Sequence, residues 1–231
     1  MTRIAFLGTP EFAVPSLNAL AEAGYTIAGV FTQPDRPAGR GHKLVVCPVK
    51  ARALELGLTV YQFEKLRAPE GVQALKELNI DLMITAAFGQ ILNAELLSIP
   101  KRGTVNVHAS LLPRHRGSAP INRCILDGDA VAGVTTMLTD IGIDTGDILL
   151  RAETPIGEDE TAGELTERLS RLGAKLLIET LPKYLSSEIQ PIPQDASKAT
   201  YEPMLKKEMA KLDWSRPAVQ LSRQVRGLNP W

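Results

Sequence analysis

Short apolar runs alternate with helix-like segments along most of the chain, and this alternation limits the fold more than any other feature. The first cycle has an apolar run at residues 3–8, helical periodicity at 10–24 and a second apolar run at 25–32. Parallel strands joined by crossover helices produce this rhythm. We therefore predict an α/β fold: a Rossmann-like, mostly parallel twisted sheet with helices on both faces.

The rhythm breaks once and then resumes. The break, residues 33–44, is rich in proline, glycine and basic residues without periodicity, which predicts a long exposed loop. Beyond it, helices are predicted at 48–57, 68–79, 93–100, 119–128 and 161–187, and strands at 58–63, 80–88, 103–108, 132–139 and 147–155. Residues 189–203, rich in proline and small polar residues, predict a linker.

Charge and cysteine content exclude several classes of function. Lys plus Arg and Asp plus Glu number 26 each, so an anionic partner must be met by a local patch. Cys47 and Cys124 do not form a CxxC motif, so two free thiols are expected, although spacing alone leaves a disulfide open. Apolar runs are too short for a signal peptide or membrane span, which predicts a cytoplasmic protein.

An amide and an imidazole stand at the end of the strand predicted at 103–108. Asn106 and His108 are two residues apart, so their side chains share one face of that strand. Ligands of open α/β sheets bind beyond the carboxyl ends of the strands, where this pair lies. An amide N–H and a protonated imidazole suit a developing oxyanion on a carbonyl, but such residues can also simply cap a turn.

A second group of polar side chains lies within residues 139–149. A calcium loop starting at Asp140 would need glycine at its sixth position and glutamate at its twelfth, where this chain has threonine and arginine. An Asp–Gly turn accounts for Asp140 and Asp147 but leaves Asp144 as a candidate partner for His108 that relays a proton from an attacking amine. Because no GxSxG elbow or Cys–His pairing occurs, the attacking group is expected to come from a substrate.

A third element, AAFGQIL at residues 86–92, follows a predicted strand and surrounds a glycine with apolar groups. It can line a pocket for a flat heterocycle, and core packing explains it equally well.

Together these segments resemble a known family. The stretch NVHASLLPRHRGSAPI at 106–121, with DTGDIL at 144–149, is similar to the folate-dependent formyltransferases that use 10-formyltetrahydrofolate. Residues 6–17, 31–44 and 199–231 resemble the branch that acts on initiator methionyl-tRNA, so the likeness covers the whole chain. It implies the formyltransferase fold, a monomer without a metal, and formylation of the free amino group of methionyl-tRNA for translation initiation.

The resemblance also assigns roles to individual residues. Asn106, His108 and Asp144 match the catalytic trio. The folate-binding set is Phe88, Gly89, Gln90, Ile91, Leu92, Ser110, Leu111, Leu112, Pro113, Asp140, Ile141 and Gly142. The tRNA-binding set, on a loop expected to reach the acceptor end of the tRNA, is Arg36, Arg40, His42 and Lys43.

The chain departs from the family's pattern at a few positions. His115 and Ser118 stand where Tyr or Trp and Ala are more usual, and Asn93 stands where Pro is common. By resemblance, residues 1–188 form the catalytic domain, 189–203 a linker, and 204–231 the start of a truncated C-terminal region whose β-barrel domain is absent.

Two other functions stay open. A formyltransferase acting on an amino sugar or on glycinamide ribonucleotide would use the same trio, but the insertion at 33–44 and the tail favour tRNA. A non-catalytic folate- or nucleotide-binding module would not need three polar side chains to converge. A dinucleotide site of the usual kind is disfavoured because GTPEF at residues 8–12 is not GxGxxG.

Overall fold

A seven-stranded sheet forms the centre of the molecule. The computed structural model describes residues 2–38 and 43–231. Its strands are β1 (Arg3–Gly8), β2 (Thr26–Thr32), β3 (Arg36–Ala38), β4 (Lys43–Val45), β5 (Val60–Gln62), β6 (Leu82–Ala86), β7 (Thr104–His108), β8 (Arg116–Gly117), β9 (Val131–Leu138), β10 (Ile148–Pro155) and β11 (Tyr201–Glu202).

The central sheet is mostly parallel. Its strand order is β10-β9-β7-β6-β1-β2-β5. Strands β7, β6, β1, β2 and β5 run parallel to one another, whereas β9 runs antiparallel to β7 and β10 antiparallel to β9. The Rossmann-like sheet predicted from the alternation is confirmed.

The helices of the described residues are α1 (Val14–Glu22), α2 (Pro48–Glu55), α3 (Pro69–Glu77), α4 (Ala94–Leu97), α5 (Pro120–Asp127), α6 (Ala162–Leu185) and α7 (Ala218–Leu228). Proline occupies one of the first two positions of α1, α2, α3 and α5, where its missing N–H has no helical partner to lose. Helix α6 begins with a capping box between Thr161 and Glu164. None of the helices within these ranges is long and apolar enough to cross a membrane.

Two hydrophobic cores lie on opposite faces of the sheet. In β1, Ile4 and Phe6 pack into a core with α1, α2, α5 and α6, while Ala5 and Leu7 pack into a smaller core with α3 and α4. This division follows from the two-residue period of a strand. Helices therefore cover both faces, as predicted.

The outer part of the second face is covered by loops. Because Val105 and Val107 of β7 pack into the larger core, Asn106 and His108 face the other side. On that side, Leu112 from the loop after β7 packs against Met137 of β9 and Ile148 of β10. Asn106 and His108 thus lie where loops meet the sheet. Loops in this position can form a cleft.

The segment 33–44 is more regular at its base than its composition indicates. Strands β3 and β4 form an antiparallel pair, with Arg36 opposite Val45. Below them, Lys50 Nζ donates to Asp35 Oδ2 at 2.5 Å and to Gln62 Oε1 at 2.7 Å. Strands β3 and β4 pair through their backbones, which leaves no periodic pattern in the side chains. The sequence therefore did not predict this strand pair.

The segments after α6 contact the main sheet and its helices. Ile192 and Ile148 exchange two backbone hydrogen bonds of 2.8 Å, and β11 pairs in parallel with β8. Helix α7 packs on α5, where Asn122 Nδ2 donates to Gly227 O at 2.8 Å. The domain boundaries predicted at 188 and 203 stay a prediction.

Candidate active site

The three residues of the predicted catalytic trio lie close together. His108 Nδ1 is 3.6 Å from Asp144 Oδ1, and these side chains are only 7% and 19% exposed. Asn106 is half-buried two residues before His108, on the same face of β7. Segments nearly 40 residues apart therefore supply polar groups to one small region; the catalytic roles themselves stay predictions.

Asn106 has its amide orientation set by a neighbouring strand. Thr85 Oγ1, on β6, donates to Asn106 Oδ1 at 2.8 Å. The hydroxyl donates to the amide oxygen, so in this structure the oxygen of Asn106 faces β6 and its NH2 group is turned away from it. The NH2 group has no hydrogen-bond partner within residues 2–38 and 43–231, and it is available as a donor.

His108 has one ring nitrogen committed to the backbone. Its Nε2 lies 2.9 Å from the carbonyl oxygen of His115. Since a carbonyl only accepts, Nε2 carries a proton in this arrangement. The Nδ1 side of the ring, which faces Asp144, remains for chemistry.

The carbonyl that holds His108 belongs to a buried residue in a left-handed conformation. His115 has φ 57° and its backbone N–H donates to Thr200 Oγ1 at 2.8 Å. Its ring lies between two carboxylates, with Nδ1 2.9 Å from Glu202 Oε1 and Nε2 2.7 Å from Asp129 Oδ2. This packing fixes the position of the carbonyl and thereby the plane of the His108 ring.

Possible metal ligands also meet near His115. One ligand atom each from His115, Asp127 and Glu202 lies within 4.8 Å of the others. However, Arg123 Nε lies 3.1 Å from Asp127 Oδ1 and 3.2 Å from Glu202 Oε2. The guanidinium already lies against both carboxylates, so the cluster is better explained as an ion-pair network than as a cation site.

Asp144 is held by both its side chain and an unusual backbone. Its φ is 52°, and its Oδ2 accepts from the backbone N–H of Gly117 at 2.8 Å. Gly117 itself must lack a side chain, because a Cβ there would lie 2.5 Å from Glu202 O. The strand pair β8–β11 therefore places the backbone N–H of Gly117 next to the Asp144 carboxylate.

The rest of the 139–147 loop closes on itself. Asp140 Oδ1 accepts from Gly142 N at 3.0 Å and from Thr145 Oγ1 at 2.7 Å. At Gly146 a Cβ would lie 1.8 Å from Leu138 O, so only glycine fits this turn. Asp140 thus closes its own turn, as expected, and Asp144 is the acidic side chain directed to His108.

The predicted folate segment Ser110–Pro113 is a turn anchored on β9. Ser110 Oγ donates to Arg114 O at 2.7 Å. Thr135 Oγ1 donates to Ser110 O at 2.6 Å and accepts from Leu112 N at 3.1 Å. Leu112 is buried, while Leu111 and Pro113 are half-buried.

The predicted folate segment Phe88–Leu92 is divided between the core and the surface. Phe88 is buried in the smaller core, so its ring packs internally. Gln33 Nε2 donates to Gly89 O at 2.7 Å, and Gln90 bonds the backbone at Phe63 and Leu66. These bonds fix the loop after β6 rather than leave its amides open.

The remaining members of the folate set are accessible. Ile91 is 74% exposed and Ile141 81% exposed, while Leu92 is half-buried. Asp140 and Gly142 are exposed as well. Large exposed isoleucines on loops can be covered by an apolar ligand.

The predicted tRNA set is only partly described. Arg36 is exposed and lies 3.4 Å from Glu64, an equally exposed partner. Lys43 begins β4, and Arg40 and His42 lie outside the described residues.

Sequence reasoning missed the residues that hold the trio in place. Thr85, Thr200 and Glu202 have no motif that marks them, and Gln194 lies in the predicted linker. Arg116 lies within the stretch at 106–121, and the structure shows that it is 3% exposed. Burial is a property of the folded chain, so nothing in the sequence marks this arginine as a cation that needs buried partners.

Comparisons with known proteins match nearly the whole chain. A formyl transferase family model matches residues 2–181, and a formyl transferase C-terminal domain model matches residues 204–231. The methionyl-tRNA formyltransferase of Symbiobacterium thermophilum is 54% identical over 231 residues, which is 100% of this chain and 71% of that protein. The methionyl-tRNA formyltransferase of Citrifermentans bemidjiense is 52% identical over 229 residues, 99% of this chain and 72% of that protein.

Solved structures show the same fold. The sugar 3N-formyl transferase WlaRD, solved in the presence of dTDP and 5-N-formyl-THF, matches with a TM-score of 0.75. That match has 21% identity and covers 98% of this chain and 79% of the other. At this identity the likeness concerns the fold alone.

Proposed function

The chain belongs to the formyl transferase family, and from this premise we propose that it moves the formyl group of 10-formyltetrahydrofolate to the amino group of methionyl-tRNA. The product is N-formylmethionyl-tRNA, used in translation initiation. Two relatives that are more than half identical bear the name of this activity, which supports tRNA over an amino sugar as acceptor. The observation that carries the proposal is the 3.6 Å approach of His108 to Asp144 beside the free NH2 group of Asn106.

The geometry supports direct transfer of the formyl group from the folate to the amine. The amine attacks the formyl carbon, a new C–N bond forms, and the bond from that carbon to the folate nitrogen breaks. Asn106 Nδ2 and, when protonated, His108 Nδ1 donate to the oxygen that becomes negative. Asp144 stabilises the charged imidazole, and the proton lost by the amine balances the one gained by the leaving nitrogen.

We propose that the folate lies against the loops that follow β6, β7 and β9. The exposed Ile91 and Ile141 supply apolar surface for its ring system, and the anchored turn at Ser110–Pro113 supplies a rigid wall. The rigidity of this wall matters because acyl transfer depends on placing the reacting atoms within a few tenths of an ångström.

We propose that the segment 33–44 contacts the phosphates of the tRNA. Since the chain has no net charge, tRNA must be met by local cationic residues, and this segment of the sequence carries Arg36, Arg40, His42 and Lys43. The hydrogen bond from Lys50 to Asp35 fixes the beginning of this segment relative to the sheet.

Mixing the protein with 10-formyltetrahydrofolate and methionyl-tRNA tests the function directly, with formylmethionine released from the tRNA as readout. We expect turnover by the unchanged protein and a loss of at least about 10²-fold in kcat for Asn106→Ala and for His108→Ala. Circular dichroism and thermal melting check that both variants fold. Near-normal turnover in either folded variant would show that the trio is assigned incorrectly.

The same assay separates the alternatives. Formylation of an amino sugar nucleotide or of glycinamide ribonucleotide, without formylation of methionyl-tRNA, would identify a different acceptor. Tight folate binding with no formyl transfer to any of these amines would identify a binding module.

A further inference from the structure

We infer that Gln194 is a positioning residue for Asp144 and that the segment predicted as a linker is therefore part of the active site. The inference rests on the proposed function, since it concerns how that site is held. Gln194 lies 50 residues beyond Asp144 and outside every motif of the sequence.

The side-chain amide of Gln194 is fully used. Its Nε2 donates to the carbonyl oxygens of Asp144 at 2.8 Å and of Gly146 at 2.7 Å. Its Oε1 accepts from Arg116 Nη2 at 2.8 Å and from Arg116 Nε at 3.1 Å. Both donors and both acceptor positions of the amide are therefore occupied.

The loop that carries Asp144 needs such support. Asp144 has a left-handed backbone, which is uncommon for an L residue and less favourable than the right-handed conformation. The bonds made by Asp140 close the beginning of the loop, at Gly142 and Thr145. Gln194 holds the two carbonyls on either side of Thr145, and so fixes the direction of the Asp144 side chain.

Arg116 determines which way round the Gln194 amide lies. This guanidinium is buried and has no carboxylate partner within the described residues; its third contact is Tyr201 OH, at 2.9 Å. Because a guanidinium only donates, it holds the oxygen of Gln194 and turns the Nε2 group toward the loop. The amide cannot reverse without facing donor to donor.

The same unit also holds the Asp144 carboxylate. Gly117, the residue after Arg116, donates its N–H to Asp144 Oδ2 at 2.8 Å. Gln194, Arg116 and Gly117 thus fix both the backbone and the side chain of Asp144 relative to His108. Buried polar networks of this kind are rigid when every member is satisfied.

Replacing Gln194 by Glu tests the inference. The Gln194→Glu change keeps the acceptor that faces Arg116 and makes it an ion pair, but it removes both donors to the loop. We expect kcat for methionyl-tRNA formylation to fall about 10- to 100-fold, because small displacements of a reacting group cost that much. We expect KM for both substrates and the melting temperature to stay close to those of the unchanged protein.

Gln190→Ala is the matched control, because Gln190 lies in the same segment and is exposed. Among the described residues its side chain makes a single hydrogen bond, of 3.3 Å to Ser187 O. It should leave kcat unchanged. A kcat for Gln194→Glu equal to that of the control would overturn the inference.

Hydrogen–deuterium exchange gives a readout that needs no substrate. Exchange of residues 139–147 should accelerate in Gln194→Glu and not in Gln190→Ala. If residues 139–147 exchange at the same rate in Gln194→Glu as in the protein without substitutions, the positioning role is contradicted. This holds even if the protein without substitutions proves inactive on methionyl-tRNA. If exchange accelerates in Gln194→Glu but the protein without substitutions is inactive on methionyl-tRNA, the proposed function is rejected. The role of Gln194 in holding the loop is then retained.

Discussion

At the scale of single residues, Asn106 can serve as an oxyanion donor only if its NH2 group, not its oxygen, faces the reacting carbonyl. In the structure the Thr85 hydroxyl donates to the amide oxygen at 2.8 Å, which leaves the NH2 group for that carbonyl. Removing that hydroxyl leaves the amide free to rotate, and part of the population then presents an acceptor where a donor is needed.

Thr85→Val keeps the shape of the side chain and removes the hydrogen bond. We expect kcat to fall about 5-fold, the factor that corresponds to the roughly 1 kcal/mol that one neutral hydrogen bond contributes. Thr85→Ser, which retains the hydroxyl, should keep most of the activity. Single-turnover kinetics would check this, and equal rates for the two variants would mean that Thr85 only fills space.

At the scale of structural elements, the β3–β4 pair depends on the polar contacts beneath it. Hydrogen bonds from Lys50 and then from Gln62 lower the pKa of the Asp35 carboxyl. A lowered pKa in the folded state means that the ionised carboxylate stabilises the fold. That stabilisation is present above the unfolded pKa of about 3.9 and is lost as the pH falls through the lowered folded value.

Asp35→Asn should lower the free energy of unfolding at pH 7 by about 1 kcal/mol, because the pair with Lys50 is partly buried. The difference between the two proteins should shrink as the pH falls below about 4. Urea unfolding at a series of pH values measures this. Glu64→Gln, which breaks an exposed pair with Arg36, is the control and should change little; a pH-independent effect of Asp35→Asn would contradict the explanation.

At the scale of the whole molecule, Cys124 reports on the intactness of the larger core. Burial, followed by the nearby charge of Asp129, raises the pKa of its thiol to about 12. The thiolate is the reactive form, so almost none is present near neutral pH. Cys47 is half-buried, and both thiols are free in the structure.

A Cys47→Ser variant leaves Cys124 as the sole thiol. We expect no reaction with a disulfide reagent at pH 8 beyond the rate at which the protein unfolds, and one equivalent released in denaturant. Absorbance of the released thiol follows this directly. A prompt full reaction of the folded variant would show that α5 opens without global unfolding.

The elements could be predicted because their signals are local, whereas the contacts that complete the site could not. The strand expected at 103–108 is observed at Thr104–His108, and the helix expected at 161–187 at Ala162–Leu185. The shared face of Asn106 and His108 followed from strand geometry alone. Gln194 and Glu202 lie in proline-rich sequence that has no periodicity whether it is ordered or not, so only the folded chain shows their partners.

The docking of residues 192–202 also sets when the molecule becomes competent. During synthesis the strands of the sheet leave the ribosome well before Gln194 and Glu202 do, and long-range contacts of this kind form last. A chain that stops before residue 194 would carry Asn106 and His108 but lack the contacts that hold Asp144 and His115. Assembly of the complete site therefore requires residues that follow every strand of the central sheet along the chain.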